Sequence, residues 1–342
     1  MDDLDELPPG HQLGSYTLIR KLGAGGMGTV YQARHGTLAR PAAVKVLSSW
    51  LTTGLGRMRF EREVQACAAL THPNTVEIYD YGETPDGTLY YAMEYLDGFD
   101  LKQLIDLEGR QTAARTLRIL EPIAGALGEA HAHGLVHRDI KPPNIIVCEA
   151  GGIPDVAKLV DFGLVAPLKQ KPRLTLEGHV MGTPRYVAPE MIGSGRGMSP
   201  ASDIYSLGLV AFYLLSGRHA FDAESSVEIL HMQRDEPAPH LVHAAPGCPE
   251  DLANVIAWCL EKDPDRRPAS AAELSEAFAR CEDFERWNQA EARAWWARQR
   301  TLRIAQLAER SMVTEPDGPP VMDERISLTN PEGPAAKKRA RE

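Results

Sequence analysis

No stretch of this sequence approaches the ~18 uncharged apolar residues of a membrane-spanning helix. The longest candidate, Leu207 to Leu215, is too short. The opening Met1-Asp2-Asp3-Leu4-Asp5-Glu6 is acidic, whereas a secretory signal has a basic start and an apolar core. The five cysteines (Cys67, Cys148, Cys248, Cys259, Cys281) are odd in number and nowhere at metal-ligand spacing. A disulfide framework and a zinc site are therefore not expected; reduced cysteines used as small hydrophobes are. These absences together predict a cytoplasmic protein. Excess basic charge is also missing. The 342 residues carry a net charge of −10, and residues 283–342 hold 11 Lys and Arg against 10 Asp and Glu, so the preceding body carries about −11. Nonspecific nucleic-acid binding by that body is not expected. There are no internal repeats.

What is present is an ordinary soluble composition, 43% hydrophobic and 25% charged, long enough for a sizeable core without staples. Residues 1–14 are acidic, contain Pro and Gly, and read as disordered. Strand pattern begins at Tyr16-Thr17-Leu18-Ile19 and resumes at Val30-Tyr31-Gln32-Ala33. Between them lies Gly23-Ala24-Gly25-Gly26-Met27-Gly28, a G-x-G-x-x-G turn. A dinucleotide-binding fingerprint needs a helix next, but Thr29-Val30-Tyr31 favours a strand. A Walker A loop ends in Gly-Lys-Ser/Thr, which is absent. A β-hairpin flap remains, whose backbone N–H groups can close over phosphates. Ala42-Ala43-Val44-Lys45-Val46-Leu47 is an apolar strand with one central charge; Lys45 either faces solvent or is buried with a counter-charge. In the helix that follows, Phe60, Val64, Cys67 and Leu70 fall on one face, and Thr71-His72-Pro73-Asn74 stops it. Residues 76–82 and 89–95 alternate around Pro85-Asp86-Gly87, a β-hairpin. Strand content is expected to stop at Leu96, with helices over Leu101–Leu107 and Ala114–His133.

The densest chemistry lies in His137-Arg138-Asp139-Ile140-Lys141-Pro142-Pro143-Asn144, a polar loop between apolar segments. Such a loop can fix several charged groups at close range. Asp139 could accept a proton from a hydroxyl, Asn144 could ligate a metal through its amide oxygen, and Lys141 could neutralise a phosphoryl oxygen. Downstream, the strand Ala157-Lys158-Leu159-Val160 runs into Asp161-Phe162-Gly163. A long polar segment, 164–187, leads to Ala188-Pro189-Glu190. The helix opening at Ser202-Asp203 is apolar on nearly every side and hence buried, with Asp203 in its favourable first turn.

In order and spacing, these motifs resemble eukaryotic-type serine/threonine protein kinases, bacterial branch, over residues 15–282. The glycine flap, the V-A-I-K-like strand, the His-Arg-Asp-x-Lys-x-x-Asn loop, Asp-Phe-Gly, Ala-Pro-Glu and Asp263-Pro264-Asp265-Arg266-Arg267-Pro268 carry the resemblance. It implies an α+β, bilobal kinase fold. A small antiparallel β-rich N-lobe with one main helix (15–96) would precede a larger α-helical C-lobe (97–282), a Trp/Arg-rich helical extension (283–311) and a disordered tail (312–342). It implies ATP and Mg²⁺ as cofactors and proteins as substrates. Lys45, held by Glu63, would place the α/β-phosphates. Asn144 and Asp161 would hold Mg²⁺, and Asp139 and Lys141 would act on the acceptor and the transferred group. The nucleotide pocket would comprise Leu22, Gly23, Gly25, Gly26, Gly28, Val30, Ala43, Lys45, Met93, Glu94, Leu96, Asp100 and Ile146. For Asp100, capping the helix at Leu101 is an equal alternative to touching the ribose.

Regulatory candidates follow from the same resemblance. Phosphorylated Thr175 would pair with Arg138, although Thr175 also reads as an ordinary loop residue. Glu177 stands where relatives carry a second threonine and already supplies negative charge. Thr183 would link the segment to Asp139 and, with Lys141, marks Ser/Thr specificity. Glu190 with Arg267, and Asp203 beneath the catalytic loop, would be structural. Pro143 occupies a slot that is often glutamate in arginine-directed kinases, so a basic substrate motif is not expected. The tryptophans of 283–311 are predicted to dock on their own domain or on a partner. Ser327 is a candidate phosphosite, and Lys337-Lys338-Arg339-Ala340-Arg341 reads as a solvated basic tail before a nuclear signal. A pseudokinase would lack Lys45, Asp139 or Asp161, and a small-molecule phosphotransferase would lack the segment closing in Ala-Pro-Glu. Oligomeric state is not legible.

Overall fold

The computed structural model describes residues 6–26, 28–48, 55–162, 183–192 and 197–313, with Leu55, Arg59 and 303–313 by backbone alone. Two compact units divide the chain, Met1–Ala294 and Trp295–Glu342.

The first unit opens with an antiparallel sheet in the order β1-β2-β3-β4-β6-β5. Its strands are β1 (Gln12–Leu13), β2 (Tyr16–Gly25), β3 (Gly28–His35), β4 (Pro41–Leu47), β5 (Ile78–Glu83) and β6 (Leu89–Glu94). Alternating apolar residues build one core: Leu13, Tyr16, Leu18, Tyr31, Ala33, Ala42, Val44, Val46, Tyr90 and Ala92. That core corrects the expectation of disorder over 1–14 for the described part. Leu13 is 1% exposed, Leu7 packs against the cluster, and β1 pairs with β2. Burying these two leucines offsets the entropy of ordering the short N-terminal stretch. On the sheet's other face, helix α1 (Leu55–Ala68) buries Phe60, Val64 and Cys67. β4 is therefore covered on both sides, and Lys45 does not face solvent. Gly28 has φ +140°, and a Cβ there would stand 2.0 Å from the Val46 carbonyl oxygen, so the hairpin needs glycine.

Strand content does not stop at Leu96. β7 (Gly98–Asp100) joins β8 (Ile145–Ala150) and β9 (Ile153–Leu159) in a second antiparallel sheet. The signal for it is Gly98, where any Cβ would lie 2.2 Å from the Val147 carbonyl oxygen. Helices follow: α2 (Leu101–Glu108), α3 (Ala113–Ala132), α4 (Pro200–Ser216), α5 (Ser226–Asp235), α6 (Leu241–Ala244), α7 (Glu250–Cys259) and α8 (Ala271–Ala279). α3 packs on α4, α8 and β9, and α4 is buried from Ser202 to Leu215. The segment carrying Glu190 is tied to the end of this lobe by Arg267, whose Nη1 and Nη2 each donate to a Glu190 oxygen at 2.8 Å across 77 residues of chain.

A long helix α9 (Gln289–Val313) begins later than the expected 283–311 helix. Asn288 caps it, accepting from Ala290 N at 2.9 Å and Glu291 N at 3.2 Å, while Glu291 Oε2 accepts from Asn288 N. Residues before the cap form turns, and Trp287 there donates from Nε1 to Asp155 at 2.8 Å. Asp155 is buried in β9 and also takes Arg115 of α3 through Nε and Nη2, at 3.0 and 3.1 Å. The Arg115 guanidinium lies 4.9 Å from the Trp287 ring centroid. In the second unit, Trp295 and Trp296 are 2% and 3% exposed and meet edge to face. Helix α9 continues into the 312–342 segment as far as Val313. Ser327 and Lys337–Arg341 lie outside the described residues.

Candidate active site

The His137–Asn144 loop joins α3 to β8 and ends in a 3₁₀ turn, Pro142–Asn144, whose prolines pre-set its first positions. Asp203, in the first turn of α4, grips the loop's start. Its Oδ2 accepts from His137 N at 2.8 Å and its Oδ1 from Arg138 N at 2.9 Å. His131 Nε2 also meets Oδ2, at 2.8 Å. These bonds hold Arg138 at φ +70°, a conformation that a non-glycine residue adopts only when its surroundings enforce it. His137 is fully buried. Its Nε2 sits 3.0 Å from the Val160 carbonyl and its Nδ1 accepts from Asp139 N, which assigns the proton to Nε2. Burial pushes its pKa down despite nearby Asp203 and Asp139.

Asp139 is held through one oxygen. Lys141 Nζ donates to Oδ2 at 2.7 Å and Asn144 Nδ2 to the same atom at 3.0 Å. Among the described residues nothing donates to Oδ1, which keeps its lone pairs for a proton. Asn144 Nδ2 also donates to the Asp139 carbonyl at 2.7 Å, so the amide oxygen is the end of Asn144 left for a metal. Thr183 makes no hydrogen bond to the Asp139 carboxylate here, contrary to the expected link; the donors that reach that carboxylate are Lys141 and Asn144.

The charges around Lys45 pair differently from expectation. Lys45 Nζ lies 2.8 Å from Asp161 Oδ2, whereas Glu63 Oε1 accepts from Arg138 Nη1 at 3.0 Å. The expected Lys45–Glu63 pair is thus replaced by two others. Each sequestered charge still has a partner of opposite sign, as burial demands, and β9 delivers Asp161 closer to Lys45 than α1 brings Glu63. Asp161 sits at φ +58°. Burial alone would raise its carboxyl pKa, but the Lys45 ammonium and bonds from Lys45 and Tyr91 outweigh it, and the net shift is downward. Phe162 is buried, its ring 4.7 Å from that of His137.

The nucleotide-pocket candidates come from the hairpin, both sheets and the crossing strand between lobes. Register pairs Gly23 with Val30, Val30 with Lys45, Ala43 with Met93, and Asp100 with Ile146. Leu22, Gly25 and Gly26 lie exposed toward the tip and Gly28 opens β3. Leu96 follows β6, and Met93 is 6% exposed. Glu94 carries an ion pair to Lys158 of β9 at 2.7 Å. Asp100 caps α2 in a reciprocal box with Gln103; burial raises its carboxyl pKa. For a metal, the available donors are the Asp161 carboxylate and the Asn144 amide oxygen. These are hard oxygens, too few for a protein cage but suited to Mg²⁺, which takes one or two protein ligands and fills the rest from phosphate and water. Gly163, Thr175 and Glu177 lie outside the described residues. Sequence reasoning missed Tyr91, Lys158 and His131. Tyr91 and Lys158 are alternating strand residues that carry no motif, and His131 lies unremarked in the last turn of a helix.

A protein kinase domain model matches residues 16–279, and the chain belongs to that family. Its two-sheet, helix-rich architecture is the bilobal kinase fold. Within the family its resemblance is to bacterial serine/threonine kinases. It is 38% identical over 276 residues to the DNA damage-responsive serine/threonine-protein kinase RqkA of Deinococcus radiodurans, covering 80% of this chain and 40% of that one. With serine/threonine-protein kinase PrkC of Bacillus subtilis it shares 37% over 279 residues, 81% of this chain and 42% of the other. The kinase domain of PknI from Mycobacterium tuberculosis superposes with a TM-score of 0.61 at 30% identity, over 80% of this chain and 98% of that one. The chain spans less than half the length of these two curated relatives. No helix among the described residues is long and apolar enough to cross a membrane.

Proposed function

We propose that this protein transfers the γ-phosphoryl group of ATP to serine and threonine hydroxyls of proteins, its own segment 163–182 among them. The observation that carries this reading is Asp139, fixed through Oδ2 by Lys141 and Asn144 with Oδ1 open. An acceptor hydroxyl placed on Oδ1 gives up its proton there as its oxygen attacks the γ-phosphorus in line. The bond to the β–γ bridging oxygen breaks and ADP leaves with that electron pair. Lys141, already beside Asp139, offsets charge on the transferred oxygens. Lys45 exchanges Asp161 for the α/β-phosphates, and Glu63 is then its partner on α1. Asp161 and Asn144 would hold Mg²⁺, which would supply charge neutralisation at the phosphates. The hairpin glycines cover the phosphates, with Leu22, Val30, Ala43, Met93, Leu96 and Ile146 around the base. Thr175 is the segment's phosphorylation site and Arg138 its reader. Protein substrates are selected without an acidic pocket at Pro143. The acidic body suits neither DNA nor RNA, and the protein acts in the cytoplasm.

The test is transfer of labelled phosphate from ATP with Mg²⁺ to the chain itself and to a generic protein substrate. Wild type is expected to label both. Asp139→Asn keeps the bonding geometry but loses the proton acceptor, and labelling should fall about 100-fold or more. Robust labelling by Asp139→Asn, free of contaminating kinase, refutes the mechanism.

A further inference from the structure

Strand β6 is buried throughout its centre, and Tyr91 there is 2% exposed. A phenol in such a place must find an acceptor or leave a buried polar group unmet. Its acceptor is Asp161: the Tyr91 hydroxyl donates to Oδ1 at 3.0 Å. The other carboxylate oxygen, Oδ2, takes Lys45 at 2.8 Å. Tyr91 and Lys45 are direct cross-strand partners on β6 and β4, so their side chains leave the sheet together on one face. One neutral donor and one cation thereby grip the two oxygens of a single carboxylate. The Tyr91 ring also lies 6.2 Å from that of Phe60 on α1, three residues before Glu63.

The two grips differ in permanence. Lys45 is the cation assigned to the nucleotide phosphates and leaves Oδ2 to reach them. Tyr91 carries no charge for a phosphate to draw, and its hydroxyl has no other acceptor among the described residues. We infer that Tyr91 is a positioning residue for Asp161: it fixes Oδ1 so that Oδ2 faces a divalent cation once Lys45 has moved. The inference rests on the assignment of Asp161 to the metal made above. Outer partners of this kind orient ligating carboxylates, and their loss typically weakens metal binding about 10- to 100-fold.

The test uses the full chain. Mn²⁺, a paramagnetic substitute for Mg²⁺, is titrated by electron paramagnetic resonance into protein loaded with a non-hydrolysable ATP analogue. Affinity for the same analogue is measured separately in EDTA. Tyr91→Phe deletes only the hydroxyl, and is expected to weaken Mn²⁺ binding about 10-fold or more while metal-free nucleotide affinity stays within about twofold. The Mg²⁺ concentration for half-maximal phosphoryl transfer should rise in parallel. Tyr91→Leu also lacks the hydroxyl and should show the same loss, so one folded variant is enough. Unchanged or tighter Mn²⁺ binding in a folded variant overturns the role of Tyr91. So does an equal loss of nucleotide affinity in EDTA, which would mark general disturbance of the site. Wild type that neither binds Mn²⁺ with nucleotide nor transfers phosphate overturns the kinase reading and this inference together.

Discussion

Glu190 and Arg267 stand far apart in sequence, yet their side chains are only 5% and 0% exposed and share two bonds of 2.8 Å. Arg267 spends its remaining donors on the carbonyls of Ala201, Glu261 and Lys262. Removing the acid would strand a buried guanidinium among carbonyls that balance only part of its charge. Glu190→Gln is therefore expected to lower the free energy of unfolding in urea by about 3 kcal/mol. A change under about 0.5 kcal/mol would mean the pair adds little to stability. At this scale the sequence was largely legible, because residue identities within spaced motifs name the chemistry. Partner choice was not. Lys45, Glu63, Arg138 and Asp161 are all plain in the motifs, but motifs do not rank charges that end within a few ångströms of one another. Which acid meets Lys45 depends on how α1 and β9 seat against the sheet. Tyr91 shows the converse: no motif holds it, and only the strand register reveals that its hydroxyl faces the carboxylate Lys45 also meets.

Elements are legible where hydrophobic period and stop signals agree, as in the β5–β6 hairpin and in α3. They were misread where a single residue decides. Gly98 makes room for a strand beside Val147, and Asn288 with Glu291 sets the start of α9. Trp287, read as part of that helix, instead stands ahead of it and joins Asp155 and Arg115, fastening the chain after α8 to β9 and α3. Because Asp155 is buried in an ion pair with Arg115, the indole N–H bonds to a charge-paired carboxylate, a bond worth about 1.5–3 kcal/mol. Trp287→Phe retains an aromatic ring over Arg115 and loses that bond. Stability to urea is expected to fall by about 2 kcal/mol, with the loss largely absent when Asp155 is already Asn. An equal loss in both backgrounds would show that indole packing, not the bond, matters.

Across the described residues, three histidines are pushed below their ordinary pKa chiefly by burial: His72 beside α3, His137 in the loop before β8 and His219 after α4. A group whose folded pKa is depressed binds fewer protons folded than unfolded, so its contribution is complete above about pH 6.5 and declines below it. The carboxylates of Asp161, Glu190 and Glu129 are also depressed, despite their burial, by their cationic or N–H partners. Their share is lost only at lower pH, below the ordinary carboxylate range. Asp100, raised by burial, works in the opposite sense. Between pH 7.5 and 5.5 the three histidines all act in one direction. The thermal midpoint measured at constant ionic strength should fall across that interval. A loss of ~1 kcal/mol moves the midpoint of a domain of roughly this size by about 2–4 °C. His219→Asn should reduce the slope without touching the active site, since His219 stacks on Tyr213 outside it. A midpoint that is flat from pH 7.5 to 5.5 would show that the buried imidazoles accept protons as readily folded as unfolded.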